Sequence, residues 1–151
     1  MTIEMTRRIE YDPDVLAKHA MAGVDQGFAS NARAGDFVIA GKNFGHGPLH
    51  VQGPLGLKGL GVAVLAESTA RSFFRLAVAV GLPILPFAQG IHSFVVDGDE
   101  IEVDFSGGGI DNITGGKFKR FDGLPKQILA IISAGGERRW LEMKRADMPD
   151  Q

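Results

Sequence analysis

Apolar residues in the first part of the chain alternate between unbroken runs and helical spacing. Three short apolar runs occupy residues 36–40, 61–66 and 82–87, and each follows or begins with a glycine. Runs of this length are typical of strands buried on both faces. Between them, residues 54–60 and 68–81 carry apolar side chains at the spacing of amphipathic helices. The alternation predicts a parallel α/β sheet with right-handed crossovers.

Capping residues predict where two of the helices begin and end. Asp12 as N-cap and Pro13 at the first helical position predict a helix that ends at Gly23. Ser68 is the predicted N-cap of the most amphipathic helix, which Gly81 ends. A histidine on the first of these helices, His19, is interpreted as a surface or half-buried residue, not as a ligand.

The pattern changes near residue 90. Residues 94–96 and 101–105 predict the two arms of a β-hairpin around the turn Asp97-Gly98-Asp99. A second hairpin is predicted around Gly115-Gly116, and a last amphipathic helix is predicted between Pro125 and Gly135. The chain is therefore expected to add β-hairpins to its α/β core.

Composition narrows the class of protein. The 151 residues, 44% of them apolar, suit one domain, and residues 1–11 are expected to be loosely held, with residues 25–35 as a loop. A net charge of −2 gives no basic field for nucleic acid. No run reaches the ~18 apolar residues of a membrane span, and no signal-type core is visible, so a cytoplasmic location is expected. Since there is no cysteine, this chain alone holds no iron–sulfur cluster.

Residues 41–53 form the candidate active site. This glycine-rich stretch lies between a predicted strand and a predicted helix, and it carries two of the four histidines, His46 and His50. Glycine lets the backbone approach a ligand, and such turns commonly bind small anions. A metal site built on the two histidines is a weaker interpretation, because the stretch offers no acidic or thiol partner. Arg71 and Arg75 are neighbours on one helix, which suits either an anionic partner or a solvated face.

The order of motifs resembles the small subunit of the 3-isopropylmalate dehydratase family, the stand-alone counterpart of the last domain of aconitase. The resemblance covers almost the whole chain and implies a swivelling β/β/α domain with a three-layer α/β core plus β-hairpins. It rests on four stretches: Asp12-Pro13 through Met21, Gly35-Asp36 through Gly45, Ser68 through Pro83, and Asp97 through Val103 with Thr114-Gly115-Gly116-Lys117.

The resemblance implies a hydro-lyase. Members remove water from small hydroxy-di- or tricarboxylates and add it back. A separate large subunit holds a [4Fe–4S] cluster whose open iron acts as Lewis acid on the substrate hydroxyl. The small subunit closes over it and supplies the base. The lack of cysteine here fits a cluster that belongs to a large-subunit partner.

Two departures from the family pattern affect the mechanism. The family turn reads Asn-Phe-Gly-Cys-Gly-Ser-Ser-Arg-Glu-His, in which the first serine is the base and the arginine holds a substrate carboxylate. Pro48 stands in place of that serine and has neither hydroxyl nor N–H, and His50 replaces the arginine. In addition, family members usually begin with a further strand. Only about a dozen residues precede Pro13, so that strand is absent or comes from a partner.

Two functional hypotheses follow. In the first, the chain is a working hydro-lyase subunit in which His50 or His46 replaces the serine, because imidazole is the better general base at neutral pH. In the second, it is a catalytically degenerate swivel domain that serves as a binding partner or self-associates through an exposed strand edge. The first hypothesis assigns substrate contacts to Asn43, Gly45, Gly47, Arg71 and Arg75.

Overall fold

A computed structural model describes residues 10–47 and 50–146 of the chain. Pro48, Leu49 and most of the stretch expected to be loosely held, residues 1–11, lie outside those ranges. Two three-stranded sheets form the core of the described part. Of the helices in these ranges, none combines the length and the hydrophobicity that a bilayer crossing requires.

The first sheet is parallel and the second antiparallel. Strands β1, β2 and β3 lie in that order in the parallel sheet, and β4, β5 and β6 form a meander. The strands are β1 Phe37–Ala40, β2 Ala63–Ala66, β3 Ile84–Leu85, β4 Ile101–Asp104, β5 Gly109–Asn112 and β6 Lys117–Arg120. The helices are α1 Pro13–Ala17, α2 Phe28–Asn31, α3 Gln52–Gly59, α4 Arg71–Val80, α5 Lys126–Ser133 and α6 Glu137–Ala146, with a 3-10 helix at Ile91–Ser93.

Each face of the parallel sheet is covered by its own apolar cluster. On one face Val64 packs with residues of α3 and α4 and with Ala20, which follows α1. On the other face Leu65 and Leu85, both fully buried, pack with the antiparallel sheet and α5. Burying one such leucine contributes about 1.5–3 kcal/mol. The layers are thus helices, parallel sheet and antiparallel sheet, which confirms the predicted β/β/α arrangement.

The first helix is shorter than its sequence pattern predicts. Asp12 caps it as expected, because its Oδ1 accepts a hydrogen bond from the Asp14 N–H at 2.9 Å. The helix ends at Ala17 and not at Gly23, and Met21 has a φ of 58°, outside the helical region. Residues 25–35, expected to be a loop, contain the short helix α2.

The first predicted hairpin is wrong, whereas the second is confirmed as β5 and β6. Residues 94–96 form no strand, and β4 pairs with β5 instead. Hydrogen bonds from Asn112 take the place of strand pairing at residues 94–96. The Asn112 side chain is buried, and its Nδ2 donates to Phe94 O at 2.9 Å and to Asp99 Oδ2 at 2.8 Å. The Val96 N–H and the Asn112 amide lower the pKa of Asp99. Side-chain hydrogen bonds, and not a strand ladder, therefore hold this segment.

Lys58 of α3 joins the ends of two other helices. Its Nζ donates to Val80 O, at the end of α4, at 2.5 Å and to Gly135 O, just beyond α5, at 2.7 Å. A cation is favourable at helix C-termini, where carbonyls lack partners. Burial, and then the Arg139 charge, lower the pKa of Lys58. Both contacts bring α3, α4 and α5 into one packed unit.

We expect Lys58→Met to destabilise the fold by about 1–3 kcal/mol, because two helix-end carbonyls lose a charged donor. Lys144→Met, at an exposed position of α6, is the matched control and should change little. Urea unfolding followed by circular dichroism measures both. Equal midpoints for the two variants would contradict the role of Lys58.

Gly59→Ala should also destabilise the protein, by about 1–3 kcal/mol, because the added methyl group has no room. A Cβ at Gly59 would collide with the carbonyl oxygen of Pro13, where α1 lies against α3. Gly23→Ala is the control, since a Cβ at Gly23 meets nothing within 4 Å. Thermal unfolding of the pair checks this, and a melting temperature as low for Gly23→Ala as for Gly59→Ala would refute the steric explanation.

Candidate functional site

The carboxyl ends of the three parallel strands meet at one edge of the sheet, here called the carboxyl edge. Three connections leave it: residues 41–47 after β1, residues 67–70 after β2, and residues 86–90 after β3. Open parallel sheets bind ligands at this edge, where loops diverge and backbone groups are accessible. The predicted active-site stretch therefore begins where an α/β fold most often places a site.

The turn after β1 is anchored to the connection after β2. Phe44 forms a parallel bridge with Thr69. The Phe44 N–H donates to Ser68 O at 2.9 Å, and Phe44 O accepts from the Ala70 N–H at 2.9 Å. On either side of Phe44 the backbone is left-handed, with φ of 57° at Asn43 and 73° at Gly45. The turn is thus a folded unit with fixed geometry.

Ser68 has a different role from the predicted one. The N-cap of α4 is Ala70, which has no capping side chain, so the prediction of Ser68 as cap is wrong. Ser68 Oγ instead accepts a hydrogen bond from the Asn43 N–H at 2.8 Å. The bridge at Thr69 keeps this segment extended, and the helix cannot begin before Arg71. No local pattern signals this contact, since its partners are far apart in sequence.

Gly45 allows the turn to lie directly on α4. An added Cβ at Gly45 would collide with the Phe73 side chain, and the φ of 73° itself favours glycine. The rings of Phe44 and Phe73 meet edge to face, with centroids 5.1 Å apart and an interplanar angle of 80°. Such a pair contributes about 0.5–1.5 kcal/mol beyond its buried area. The apolar side of the turn is fixed, and its other side is exposed.

The structure brings four of the predicted site residues into this one turn. They are Asn43, Gly45, His46 and Gly47, all of them exposed. The backbone N–H of His46 donates to Asn43 O at 3.0 Å, which closes the turn. His50 is also exposed and lies just before α3. The predicted histidines therefore lie on solvent-facing parts of the site.

The two predicted arginines lie elsewhere on α4. Arg71 is its first residue, and Arg75 lies one turn further on; both are exposed. Each is about 160° around the helix from Phe73, the residue under the turn, at ~100° per residue. Arg75 lines an apolar groove with Ile128 and Ile131 of α5. Contact of these arginines with substrate stays a prediction.

A histidine that the sequence pattern does not single out lies at the carboxyl edge. The chain leaving β3 crosses the end of β2, where the Gly90 N–H donates to Glu67 Oε1 at 3.0 Å. It then reaches the end of β1, where His92 Nε2 is 3.5 Å from the position of a Cβ on Gly41. His92 is exposed. In the sequence, the feature that could have indicated His92 is its position shortly after the third apolar run, residues 82–87.

A lysine of the antiparallel sheet reaches the same edge. Lys119 Nζ donates to Gln89 O at 3.2 Å and lies 4.8 Å from the ring centroid of Phe121. It would lie 3.2 Å from a Cβ on Gly90. The sequence gives no sign of this approach, because it depends on how the two sheets pack.

Metal binding finds no support among the described residues. Within residues 10–47 and 50–146, no group of three or more histidine, aspartate or glutamate side chains could hold a metal ion. The chain has no cysteine, so it offers no thiolate to an iron–sulfur cluster. The cluster of the family does not fit the residues of this chain.

A separate groove of about 560 Å³ runs along β1 on its outer side. Its lining includes the β1 residues Phe37 and Ile39. Five acidic residues also line it: Asp25, Asp36, Asp97, Asp99 and Glu100. None of residues 41–47 contributes to it, so it is distinct from the carboxyl edge.

Several curated proteins are similar to this chain over most of its length. The isopropylmalate/citramalate isomerase small subunit of Methanocaldococcus jannaschii is 42% identical over 136 residues, 89% of this chain and 80% of that protein. The 3-isopropylmalate dehydratase small subunit of Pyrobaculum aerophilum is 47% identical over 138 residues, 89% of this chain and 83% of that protein. The 2,3-dimethylmalate dehydratase small subunit of Eubacterium barkeri is 40% identical over 126 residues, 83% of this chain and 77% of that protein.

A solved structure has the same fold. The crystal structure of 3-isopropylmalate dehydratase from Methanocaldococcus jannaschii superposes with a TM-score of 0.83 and 33% identity, covering 92% of this chain and 82% of that one. No family model matches the chain. The relatives above are nevertheless 40–47% identical to this chain over 83–89% of its length, and all are small subunits of one kind. The chain therefore belongs to the 3-isopropylmalate dehydratase small subunit family.

Proposed function

We propose that this chain is the small subunit of a hydro-lyase that acts on a small hydroxy-dicarboxylate. The observation that carries the proposal is the turn at residues 41–47, held rigidly at the carboxyl edge with its polar side exposed. It aligns in sequence with the family's active-site turn, of which Asn43, Phe44, Gly45 and Gly47 are retained. A large subunit that bears the cluster is the expected partner, as in the family.

The substrate class is a substituted malate. The relatives are named for isopropylmalate, citramalate and 2,3-dimethylmalate, which share a hydroxyl group and two carboxylates and differ in their alkyl groups. A site for such molecules needs anion contacts at two points and a base near the carbon that loses a proton. The acidic groove along β1 is unsuited to this ligand, because its carboxylates repel a dianion.

His50 or His46 is the proposed base. Proline at position 48 removes the hydroxyl that the family uses, and both histidines are exposed, His46 in the turn and His50 just before α3. An imidazole nitrogen accepts the proton from the carbon beside a carboxylate, and the electron pair of that C–H bond forms the carbon–carbon double bond. The C–O bond breaks at the same time, and the departing hydroxyl takes a proton from solvent to become water. Hydration reverses these changes, and the same nitrogen returns the proton. Nothing lies within 4 Å of a Cβ position on Gly47, so the substrate can approach the backbone there, with Asn43 exposed on the same turn.

The complex of this chain with its large subunit should hydrate unsaturated dicarboxylates. The reaction is measured as the loss of ultraviolet absorbance when the double bond disappears. We expect His46→Ala/His50→Ala to lower kcat by about 10²–10⁴-fold, the usual contribution of a general base. His19→Gln, on a residue outside the turn, is the control and should keep full activity.

Two results would contradict this proposal at different levels. Full activity of the His46→Ala/His50→Ala variant would refute the assignment of the base while leaving the enzyme intact. Absence of turnover by the wild-type complex on every substituted malate would instead favour the catalytically degenerate swivel domain, and the large subunit would still co-purify with the chain.

Ser68→Ala should reduce kcat/KM by about 3–10-fold, because the Asn43 N–H loses its acceptor and the turn is less well fixed. The free energy of unfolding should fall by no more than about 1.5 kcal/mol. Ser106→Ala, at an exposed serine after β4, serves as control. Steady-state kinetics on the complex measures the effect, and unchanged kcat/KM for Ser68→Ala would show that this contact does not position the site.

A further inference from the structure

We propose that His92 and Lys119 form a carboxylate-binding subsite at the carboxyl edge and hold one carboxylate of the substrate. This inference rests on the proposed function and deepens it, since it assigns the anion contact that His50, in place of the family's arginine, leaves unfilled. His92 belongs to the 3-10 helix after β3, and Lys119 of β6 reaches the same connection at Gln89.

His92 is positioned by the path of the chain after β3. Ala88 N–H donates to Ala66 O at 2.7 Å, which aligns the connection over the end of β2. The 3-10 helix that follows presents His92 next to Gly41, the first residue of the glycine turn. The 3.5 Å from Nε2 to a Cβ position on Gly41 is an ordinary van der Waals distance, so the imidazole lies directly against this residue. The imidazole therefore lies beside the first residue of the candidate active site.

Lys119 adds a positive charge at the connection that carries His92, close to Gln89 and Gly90. Its one hydrogen bond within the described residues goes to Gln89 O, and an ammonium group has three donors, so two remain for a ligand. The Phe121 ring, 4.8 Å from Nζ, supports the side chain from below by a cation–π contact. The side chain is half-buried, which limits its freedom to turn towards solvent. A preorganised cation binds a carboxylate at lower entropic cost than a free one.

The charges around the subsite favour an anion. Glu67 is the acidic group at this edge, and its Oε1 is engaged by the Gly90 N–H. Lys42, next to Gly41, is exposed on the same connection. Arg75, by contrast, lies on the groove towards α5. His92 lies next to Gly41, at the start of the glycine turn, and Lys119 lies at Gln89, so the subsite adjoins the turn along the carboxyl edge.

The test uses three substrates and two variants in the complex with the large subunit. The substrates are a substituted malate and its half-amides, in each of which one carboxylate is replaced by a carboxamide. The variants are His92→Gln and Lys119→Met, and the controls are His19→Gln and Lys117→Met. Lys117 lies on the same strand as Lys119 and is exposed.

Each variant should raise KM for the dicarboxylate about tenfold or more, with kcat changed less than about threefold, because a charged hydrogen bond is lost. For one of the half-amides the variants and the wild type should differ by less than about twofold. The controls should match the wild type on all substrates. Equal losses on the dicarboxylate and on both half-amides, or no loss at all, would overturn the inference.

Binding of an unreactive analogue separates this inference from the proposed function. A substituted succinate lacks the hydroxyl group and binds without turnover, so calorimetry on the complex reports anion contact alone. Weaker binding by both variants than by the controls supports the subsite. If the wild-type complex turns over malates and the variants bind and react normally, only the subsite is refuted. If the wild-type complex neither binds nor reacts, both the subsite and the proposed function are refuted.

Thermal unfolding distinguishes a ligand contact from a structural one. Met keeps the alkyl length of Lys119 over Phe121, so the melting temperature of Lys119→Met should stay within a few degrees of that of the wild type. A large drop in melting temperature together with equal losses of kcat on every substrate would assign Lys119 to holding Gln89, against the proposal.

Discussion

The short parallel pairing between Phe44 and Thr69 determines the geometry of the whole carboxyl edge. It ties the turn after β1 to the connection after β2 through two backbone hydrogen bonds of 2.9 Å. Because residues 68–70 are held extended, α4 begins at Arg71 and places Phe73 under Gly45. Without this pairing the glycine turn would have neither its anchor nor its apolar support, and its exposed side would have no defined shape.

Two layers of the fold contribute to the site from opposite sides. The helical layer supports the glycine turn through Phe73, and the antiparallel sheet brings Lys119 to the connection after β3. Glu67 links the two by accepting the Gly90 N–H at the end of β2. The β/β/α layering is therefore more than a scaffold, because each outer layer supplies groups that the parallel sheet alone does not have. Family membership and this arrangement together support a hydro-lyase subunit.

The sequence predicted those elements whose signals are local. Periodicity located α4, and Gly81, with a φ of 78°, ends it as predicted. Local patterns gave wrong predictions where a side chain far away in sequence determines the structure. Asn112 holds Phe94 by a side-chain hydrogen bond where the first hairpin was expected. Ser68 accepts a hydrogen bond from the Asn43 N–H and does not cap its own helix. Of the site, the glycine turn was visible in the sequence, whereas Lys119 was not, since its approach arises from the packing of two sheets.

The fit of Gly45 against Phe73 separates the shape of the turn from its chemistry. Backbone hydrogen bonds, glycine conformations and an aromatic pair define the loop, and none of them uses the side chains at positions 46 and 50. Reactive groups can therefore be exchanged in evolution without refolding the loop, provided that the glycines remain. A family whose turn is built in this way can change its base and its anion contact one residue at a time, and the same property makes the turn a suitable place to engineer new hydration chemistry.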